Sequence, residues 1–169
     1  MKRYLILACM LMVLLSGCSR AEVVWETVDD EIVQPVSAEA PMQLVFDVPE
    51  DASLLGESDC WRAYAHPDGD YEIVAQTIQA AGLDEAVRAV SGYSAEELRA
   101  VLRDQTGRCS FGWYVPEADG GRLCHAEILS DRDYYYALTF SVREDTGTTY
   151  HSTEQQVFAS FGLVSDDFE

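Results

Sequence analysis

The sequence is poor in positive charge. Its 169 residues contain 30 acidic side chains against 11 lysines and arginines, which gives a formal net charge of −19, and Lys2 is the one lysine. So acidic a chain repels phosphate backbones, which excludes nucleic acid as an expected partner. It also argues against a basic face for anionic lipid headgroups. An affinity for cationic peptides or divalent ions stays open beside the simpler interpretation, in which the charge keeps the surface solvated.

Familiar catalytic and cofactor motifs are also missing. The sequence has no phosphate-binding loop, no dinucleotide-binding glycine pattern and no G-x-S-x-G nucleophile motif. Nucleophilic catalysis needs a nucleophile, a base and an orienting group, and the histidines available as bases are His66, His125 and His151. We therefore expect no catalytic residue and no cofactor, although a site assembled from distant residues stays open.

Two stretches contain residue types that bind metals, but their spacing argues against a metal site. Cys124-His125 with Cys109 or Cys60 offers zinc-ligand types. Adjacent residues on a strand point to opposite faces, so Cys124 and His125 would not converge on one ion. The stretch DGDYE at 68–72 lacks the spacing of an EF-hand loop, and a tight turn explains it. No metal site is predicted.

Long hydrophobic runs are absent too. The apolar run from Leu5 to Leu15 has 11 residues, whereas a membrane-spanning helix needs about 20. The run follows Lys2 and Arg3 and ends in small residues, which is typical of a secretory signal peptide.

The end of this run carries a more specific signal. Leu15-Ser16-Gly17-Cys18 resembles the lipobox of bacterial lipoproteins. The resemblance implies a diacylglyceryl group on the Cys18 thiol and cleavage before Cys18, with acyl chains such as palmitate holding the protein on the extracytoplasmic face of a bacterial membrane. It does not distinguish the plasma membrane from the outer membrane. The alternative is an uncleaved anchor in which Cys18 is incidental.

Three segments follow from this interpretation. Residues 1–17 are the signal peptide, residues 18–41 are the lipidated N-terminus and an acidic tether, and residues 42–169 are a single α+β domain. Cleavage would leave 152 of the 169 residues and, by removing the two positive charges near the start, would change the formal charge from −19 to −21. A flexible tether of this length would reach roughly 25–30 Å.

The first half of the domain shows strand patterns and then helical ones. The alternation in residues 43–48 indicates a half-buried strand, and residues 60–78 indicate a hairpin around Asp68-Gly69. Residues 82–93 have a helical period. Residues 94–107 start with a capping-box pattern, Ser-x-x-Glu, and within them residues 98–103 fit either a helix or a strand.

Residues 107–142 predict a three-stranded antiparallel meander with turns at Asp119-Gly120 and at Asp131-Arg132-Asp133. One register places a continuous apolar face across all three strands, and we expect Trp113, Leu138 and Phe140 to be buried there. The pairs expected are Phe111–Ile128, Trp113–Ala126 and Val115–Cys124 in the first hairpin, and Ile128–Tyr136, Ala126–Leu138 and Cys124–Phe140 in the second.

The end of the chain predicts a short helix and then a last strand. Ser152 or Thr153 would cap the helix, which runs through Val157 and Phe158, and the strand would begin at Phe161. The run DYYYALTFSV…STEQQVFASFGL is similar to the close of proteins with the PsbP-like fold. That resemblance implies an α/β sandwich, with an antiparallel sheet of about five or six strands packed with two or three helices. It implies no site residues.

Two surface features remain open at this stage. Tyr135 and Tyr114 would project from the other face of the meander and form an aromatic patch for sugars or peptides, unless a helix covers that face.

Of the cysteines, Cys109 and Cys124 would lie too far apart along their strands for a disulfide, and we expect both to be buried, weakly reactive thiols. Whether Cys60 pairs with either is open.

The sequence therefore favours a lipid-anchored, non-catalytic lipoprotein that binds a ligand or assists a complex at the cell envelope. The alternative is an envelope hydrolase with an unrecognised site. The partners expected are the membrane, reached through the lipid on Cys18, and an envelope protein or a small ligand. The protein itself is expected to be a monomer.

Overall fold

The computed structural model describes residues 41–105, 107–118, 120–131 and 134–164. Cys18 and the expected signal peptide and tether lie outside these residues. No helix among the described residues is long and apolar enough to cross a membrane. The elements in these ranges are β1 (Gln43–Val45), β2 (Ser53–Ser58), β3 (Trp61–Ala65), β4 (Tyr71–Ile78), α1 (Leu83–Ser91), β5 (Arg103–Gln105), β6 (Arg108–Val115), β7 (Arg122–Ser130), β8 (Tyr135–Arg143), α2 (His151–Ser160) and β9 (Gly162–Val164).

Most of the described strands form one antiparallel sheet. Its seven strands lie in the order β2-β3-β4-β8-β7-β6-β5, and a separate two-stranded sheet pairs β1 with β9. The α+β fold class is confirmed. The main sheet has more strands than expected because β2 and β5 add an edge on each side. The expected first strand pairs instead with the end of the chain.

The main sheet is buried on both faces. On one face, Tyr136, Leu138 and Phe140 of β8 pack in a cluster that includes Val157 and Phe158 of α2. On the other face, Phe111, Ala126, Ile128 and Ala137 pack with Ala86 and Val87 of α1. Because neighbouring strand residues point to opposite faces, the two helices lie on opposite sides of the sheet.

Local signals predicted several elements correctly. The β3–β4 hairpin turns at Gly69, whose φ of 73° suits glycine. Helix α1 ends at Gly92, which is left-handed and donates its N–H to the Arg88 carbonyl. Ser94 and Glu97 form the expected capping box, with the Ser94 N–H 2.8 Å from Glu97 Oε2. Residues 95–101 form turns rather than a helix, and β5 begins only at Arg103.

Helix α2 and the final strand are also present, but the predicted cap is wrong. The helix begins at His151, and Tyr150 at its N-cap makes no side-chain capping bond. The last strand, β9, begins at Gly162, one residue after the predicted start at Phe161. Neither Ser152 nor Thr153 is needed as a cap because both lie inside the first turn.

The predicted register of the meander is wrong in both hairpins. In the first hairpin, Phe111 pairs with Ala126, Trp113 with Cys124 and Val115 with Arg122. This differs from the expected pairing by two residues, so it leaves the side chains on their expected faces. The cause is the position of the hairpin: β6 ends at Val115 and β7 begins at Arg122, so the hairpin is centred one residue earlier than the predicted Asp119-Gly120 turn.

In the second hairpin the difference is one residue, which moves β8 side chains to the other face. Ile128 pairs with Ala137, not Tyr136, and the residues opposite Ala126 and Cys124 are Thr139 and Ser141. Strand β7 ends at Ser130 and β8 begins at Tyr135, and the Tyr134 N–H donates to Asp131 Oδ1 at 2.7 Å between them.

This slip also changes the expected surface and core. Leu138 and Phe140 are buried as predicted, at 0% and 1% exposure. Trp113 is only partly buried, and it packs on the opposite, α1-side cluster. Tyr135 packs there too, whereas Tyr114 lies on the other face with 44% exposure. The aromatic patch of Tyr135 with Tyr114 therefore does not form, and a helix covers the outer face.

Candidate functional site

The three described cysteines are free thiols, as expected for Cys109 and Cys124. Cys109 pairs with Ile128, and Cys124 pairs with Trp113, four residues further along β6. That offset is about 13 Å along the strand, well beyond the 7 Å or so that a disulfide spans. Burial raises the pKa of both thiols to about 11. Cys60 is exposed.

Two of the histidines share a carboxylate between the sheet and α2. His125 Nδ1 on β7 lies 2.9 Å from Glu154 Oε1, and His151 Nδ1 lies 3.5 Å from Glu154 Oε2. The His125 ring also packs against Phe158, with centroids 4.5 Å apart. The hydrogen bond from His125 lowers the pKa of Glu154 below its usual value. The cluster fastens α2 to the sheet.

The third histidine belongs to a polar network at one end of the sheet. The Asp68 N–H donates to His66 Nδ1 at 3.3 Å, so Nε2 carries the proton whenever the imidazole is neutral. That atom faces Tyr150 Oη at 3.5 Å and Asp51 Oδ2 at 3.9 Å. Tyr150 Oη in turn donates to Asp70 Oδ2 at 2.9 Å. Three separate connections of the chain thus meet at His66.

A cleft of about 360 Å³ opens beside this network. Three connections form it: the β3–β4 turn, the β6–β7 loop and the loop from β8 to α2. Four carboxylates and two guanidinium groups line it, for a formal charge of −2. The lining residues are Asp68, Gly69, Glu117, Gly120, Gly121, Arg122, Arg143, Glu144 and Asp145.

The two arginines of this cleft pair directly across β7 and β8. Like charges placed opposite each other are destabilising, and neighbouring oxygens compensate them. Arg122 Nη2 donates to the Gly69 carbonyl at 3.0 Å, and its Nε lies 3.4 Å from Glu117 Oε1. Arg122 Nη1 is buried and has no hydrogen-bond partner among the described residues.

Arg143 is held more tightly. Its Nη2 lies 2.7 Å and its Nε 3.2 Å from the Asp145 carboxylate, a bidentate geometry. Its Nη1 lies 3.8 Å from Asp70 Oδ1. Asp70 therefore joins the cleft to the His66 network. Sequence reasoning missed both arginines, because nothing local marks two strand-end residues as neighbours until the register is known.

Two tyrosines that pack against the His66 ring have raised pKa values. Burial, and then the hydrogen bond to Asp70, raises the pKa of Tyr150. Burial and the Asp51 carboxylate likewise raise the pKa of Tyr71. Raised pKa values disfavour the anionic forms that attack. Within the described ranges, no group of three or more histidine, cysteine or carboxylate side chains is placed to hold a metal ion. The arrangement is a charged, loop-fastening cluster.

No protein-family model matches the sequence, and no curated protein matches it. Solved structures do. CyanoP, the cyanobacterial PsbP of Synechocystis, is 16% identical with a TM-score of 0.50, over 76% of this chain and 95% of its own. The fold is PsbP-like.

Two further solved structures share this PsbP-like arrangement at similar distance. LpqN of Mycobacterium tuberculosis, described as involved in cell envelope biogenesis, is 13% identical with a TM-score of 0.50, over 76% of this chain and 87% of its own. A Bacteroides thetaiotaomicron protein is 11% identical, also with a TM-score of 0.50, over 73% of this chain and 46% of its own. At these identities the likeness is one of fold, and it assigns no role to the cleft residues.

Proposed function

We propose that the protein is a lipid-anchored accessory module of the bacterial cell envelope that acts by binding rather than by catalysis. The observation that carries the proposal is the motif Leu15-Ser16-Gly17-Cys18 at the end of a short apolar run. Acylation of Cys18 and cleavage before it would leave the PsbP-like domain outside the cytoplasm on an acidic tether. Two or three acyl chains hold a protein firmly at a bilayer, whereas one holds it weakly.

Two observations on the domain support this function. The PsbP-like fold is shared with LpqN, a protein of cell envelope biogenesis. The histidine–carboxylate contacts, of the kind that hydrolase sites also use, lie outside the cleft, because no histidine is among the residues that line it. The cleft therefore lacks the paired histidine and carboxylate that the alternative, a hydrolase, would need there.

Acylation is the decisive test. The full chain is expressed in a bacterial host, and the mass of its N-terminal peptide is measured for the native protein, for Cys18→Ala and for Cys9→Ala. Cys9 is a matched control because it lies within the apolar run. We expect a lipid-modified N-terminal Cys18 in the native protein and in Cys9→Ala, and an unprocessed or soluble product in Cys18→Ala. An N-terminus other than acylated Cys18 in the native protein overturns the proposal.

A further inference from the structure

The two edges of the seven-stranded sheet differ in how well they are protected. Strand β5 is three residues long, has all three residues exposed and carries Arg103 and Asp104, and short charged strands resist pairing with other chains. Strand β2 is six residues long, and β3 is its one sheet neighbour among the described residues. Its outer backbone groups therefore offer a template for another strand.

Apolar side chains are exposed along this same edge. Leu54 is 50% exposed and Leu55 is 63% exposed, the highest value among the large hydrophobic residues described. Leu55 is the extra residue of a β-bulge, since the pairing passes from Leu54–Tyr64 to Gly56–Ala63. Bulges re-aim side chains at sheet edges, and this one leaves an isobutyl group in solvent.

An aromatic ring extends the apolar edge. Trp61 is 41% exposed, and its indole lies so close to Gly56 that a Cβ there would come within 3.1 Å of Trp61 Cη2. The ring is thus held beside β2. We call Ser53–Ser58 together with Trp61 the β2 edge.

The exposed charged side chains in and around β2 are acidic, and the positive charge of Arg62 lies on β3 opposite Glu57. Glu50, Asp51, Glu57 and Asp59 are exposed, and the sequence has no lysine or arginine between Arg20 and Arg62. The Arg62 side chain turns away, donating from Nη2 to the Leu44 carbonyl at 2.8 Å. A ligand that satisfies this surface needs positive charge, apolar side chains and backbone groups to pair. A second copy of the chain would bring equally acidic surfaces together.

We propose that the β2 edge binds a cationic, apolar-containing segment of a partner protein, which adds to the sheet as a strand next to β2. Main-chain hydrogen bonds would supply affinity, Leu54, Leu55 and Trp61 would contact alternate side chains, and the carboxylates would select basic residues. This inference rests on the proposed binding function, because it names the class of partner.

The test uses the mature chain with Cys18→Ala, so that it does not depend on acylation. Three labelled peptides are titrated by fluorescence anisotropy: one alternating lysine and valine, one alternating glutamate and valine, and one of the lysine composition with two central prolines. We expect the lysine–valine peptide to bind and to slow amide hydrogen exchange in Ser53–Ser58. The proline peptide should bind at least about tenfold more weakly, since proline cannot donate to a strand ladder.

Two variant pairs locate the contact. Leu55→Ser should weaken the lysine–valine peptide, whereas Val101→Ser, at a position 48% exposed in a turn, should not. Glu57→Lys should weaken it, whereas Glu96→Lys, at a side chain 74% exposed, should have a smaller effect. Equal binding of all three peptides, unchanged exchange in Ser53–Ser58 at saturation, or equal effects within either pair overturns the docking site. None of these results bears on acylation of Cys18.

Discussion

Glu154 links α2 to the sheet, and no local sequence pattern predicts this contact. It sits in the first turn of α2, where an acidic side chain also favours the helix dipole. Its carboxylate is 21% exposed and accepts from His125 of β7 while facing His151 of its own helix. The Glu154 side chain therefore joins the first turn of α2 to β7, and the His125 ring that it binds also packs against Phe158.

Glu154→Gln should lower the free energy of unfolding at pH 7 by about 1.5–3 kcal/mol, the usual value of a hydrogen bond to a charged group. Because folding lowers the pKa of Glu154 below its ordinary 4.5, its contribution is fully present above that pH and is lost as the pH falls through the folded pKa. Urea unfolding at pH 7 and at pH 3 measures both the loss of unfolding free energy and its dependence on pH. Glu96→Gln, at an exposed side chain, is the control, and an equal loss at both pH values in Glu154→Gln would contradict the assignment.

At the scale of elements, β8 is the strand on which the fold depends. It lies between β4 and β7 in the sheet, and its successive residues supply both cores: Tyr136, Leu138 and Phe140 toward α2, and Ala137 toward α1. A substitution on β8 therefore disturbs the core on the face to which the side chain points. Because this core is close-packed, the neighbouring side chains have little room to rearrange.

Leu138→Ala should destabilise the domain by about 2–5 kcal/mol through lost burial and an unfilled cavity. Leu55→Ala makes the same chemical change at a side chain that is 63% exposed, against 0% for Leu138, and should cost less than about 0.5 kcal/mol. Chemical denaturation of the two variants beside the parent protein measures the difference. Similar losses in both would show that Leu138 is not in the core.

These elements also show how far sequence patterns reach. The Asp68-Gly69 turn and helix α1 follow from signals within a few residues, and both were predictable. The β7–β8 register was not, because the sheet is apolar on both faces and hydrophobic alternation then cannot distinguish one register from its one-residue slip. Arg122 and Arg143 become neighbours only through that register, so the cleft could not be predicted either. Strand β2 was missed because Ser53–Ser58 shows no alternation.

For the whole molecule, charge is the dominant feature. A formal charge of −19 on the full chain makes the compact state repel itself, and salt screens that repulsion. The described arginines are largely engaged locally, as Arg122 and Arg143 are in the cleft. The excess of carboxylates therefore remains a general cost to folding.

Raising sodium chloride from 0.01 M to 0.3 M should raise the Tm of a protein that comprises residues 18–169. Screening worth about 1 kcal/mol would move it by about 4 °C. Thermal unfolding followed by circular dichroism measures the shift, and potassium chloride should act equally because the effect depends on ionic strength. A Tm that falls with salt would mean that the ion pairs of the cleft outweigh the repulsion.

The pairing of β1 with β9 bears on how the domain responds to mechanical force. Gln43 lies opposite Val164 and Val45 lies opposite Gly162. The start of β1 and the end of β9 therefore lie at the same end of this small sheet. A load applied between Gln43 and Val164 acts perpendicular to the strands. It breaks the hydrogen bonds between β1 and β9 one after another rather than all at once. Such a load would separate the three residue pairs of β1 and β9 before it reached the seven-stranded sheet. A force applied through a reporter fused after β9 would therefore act on the β1–β9 pairing first.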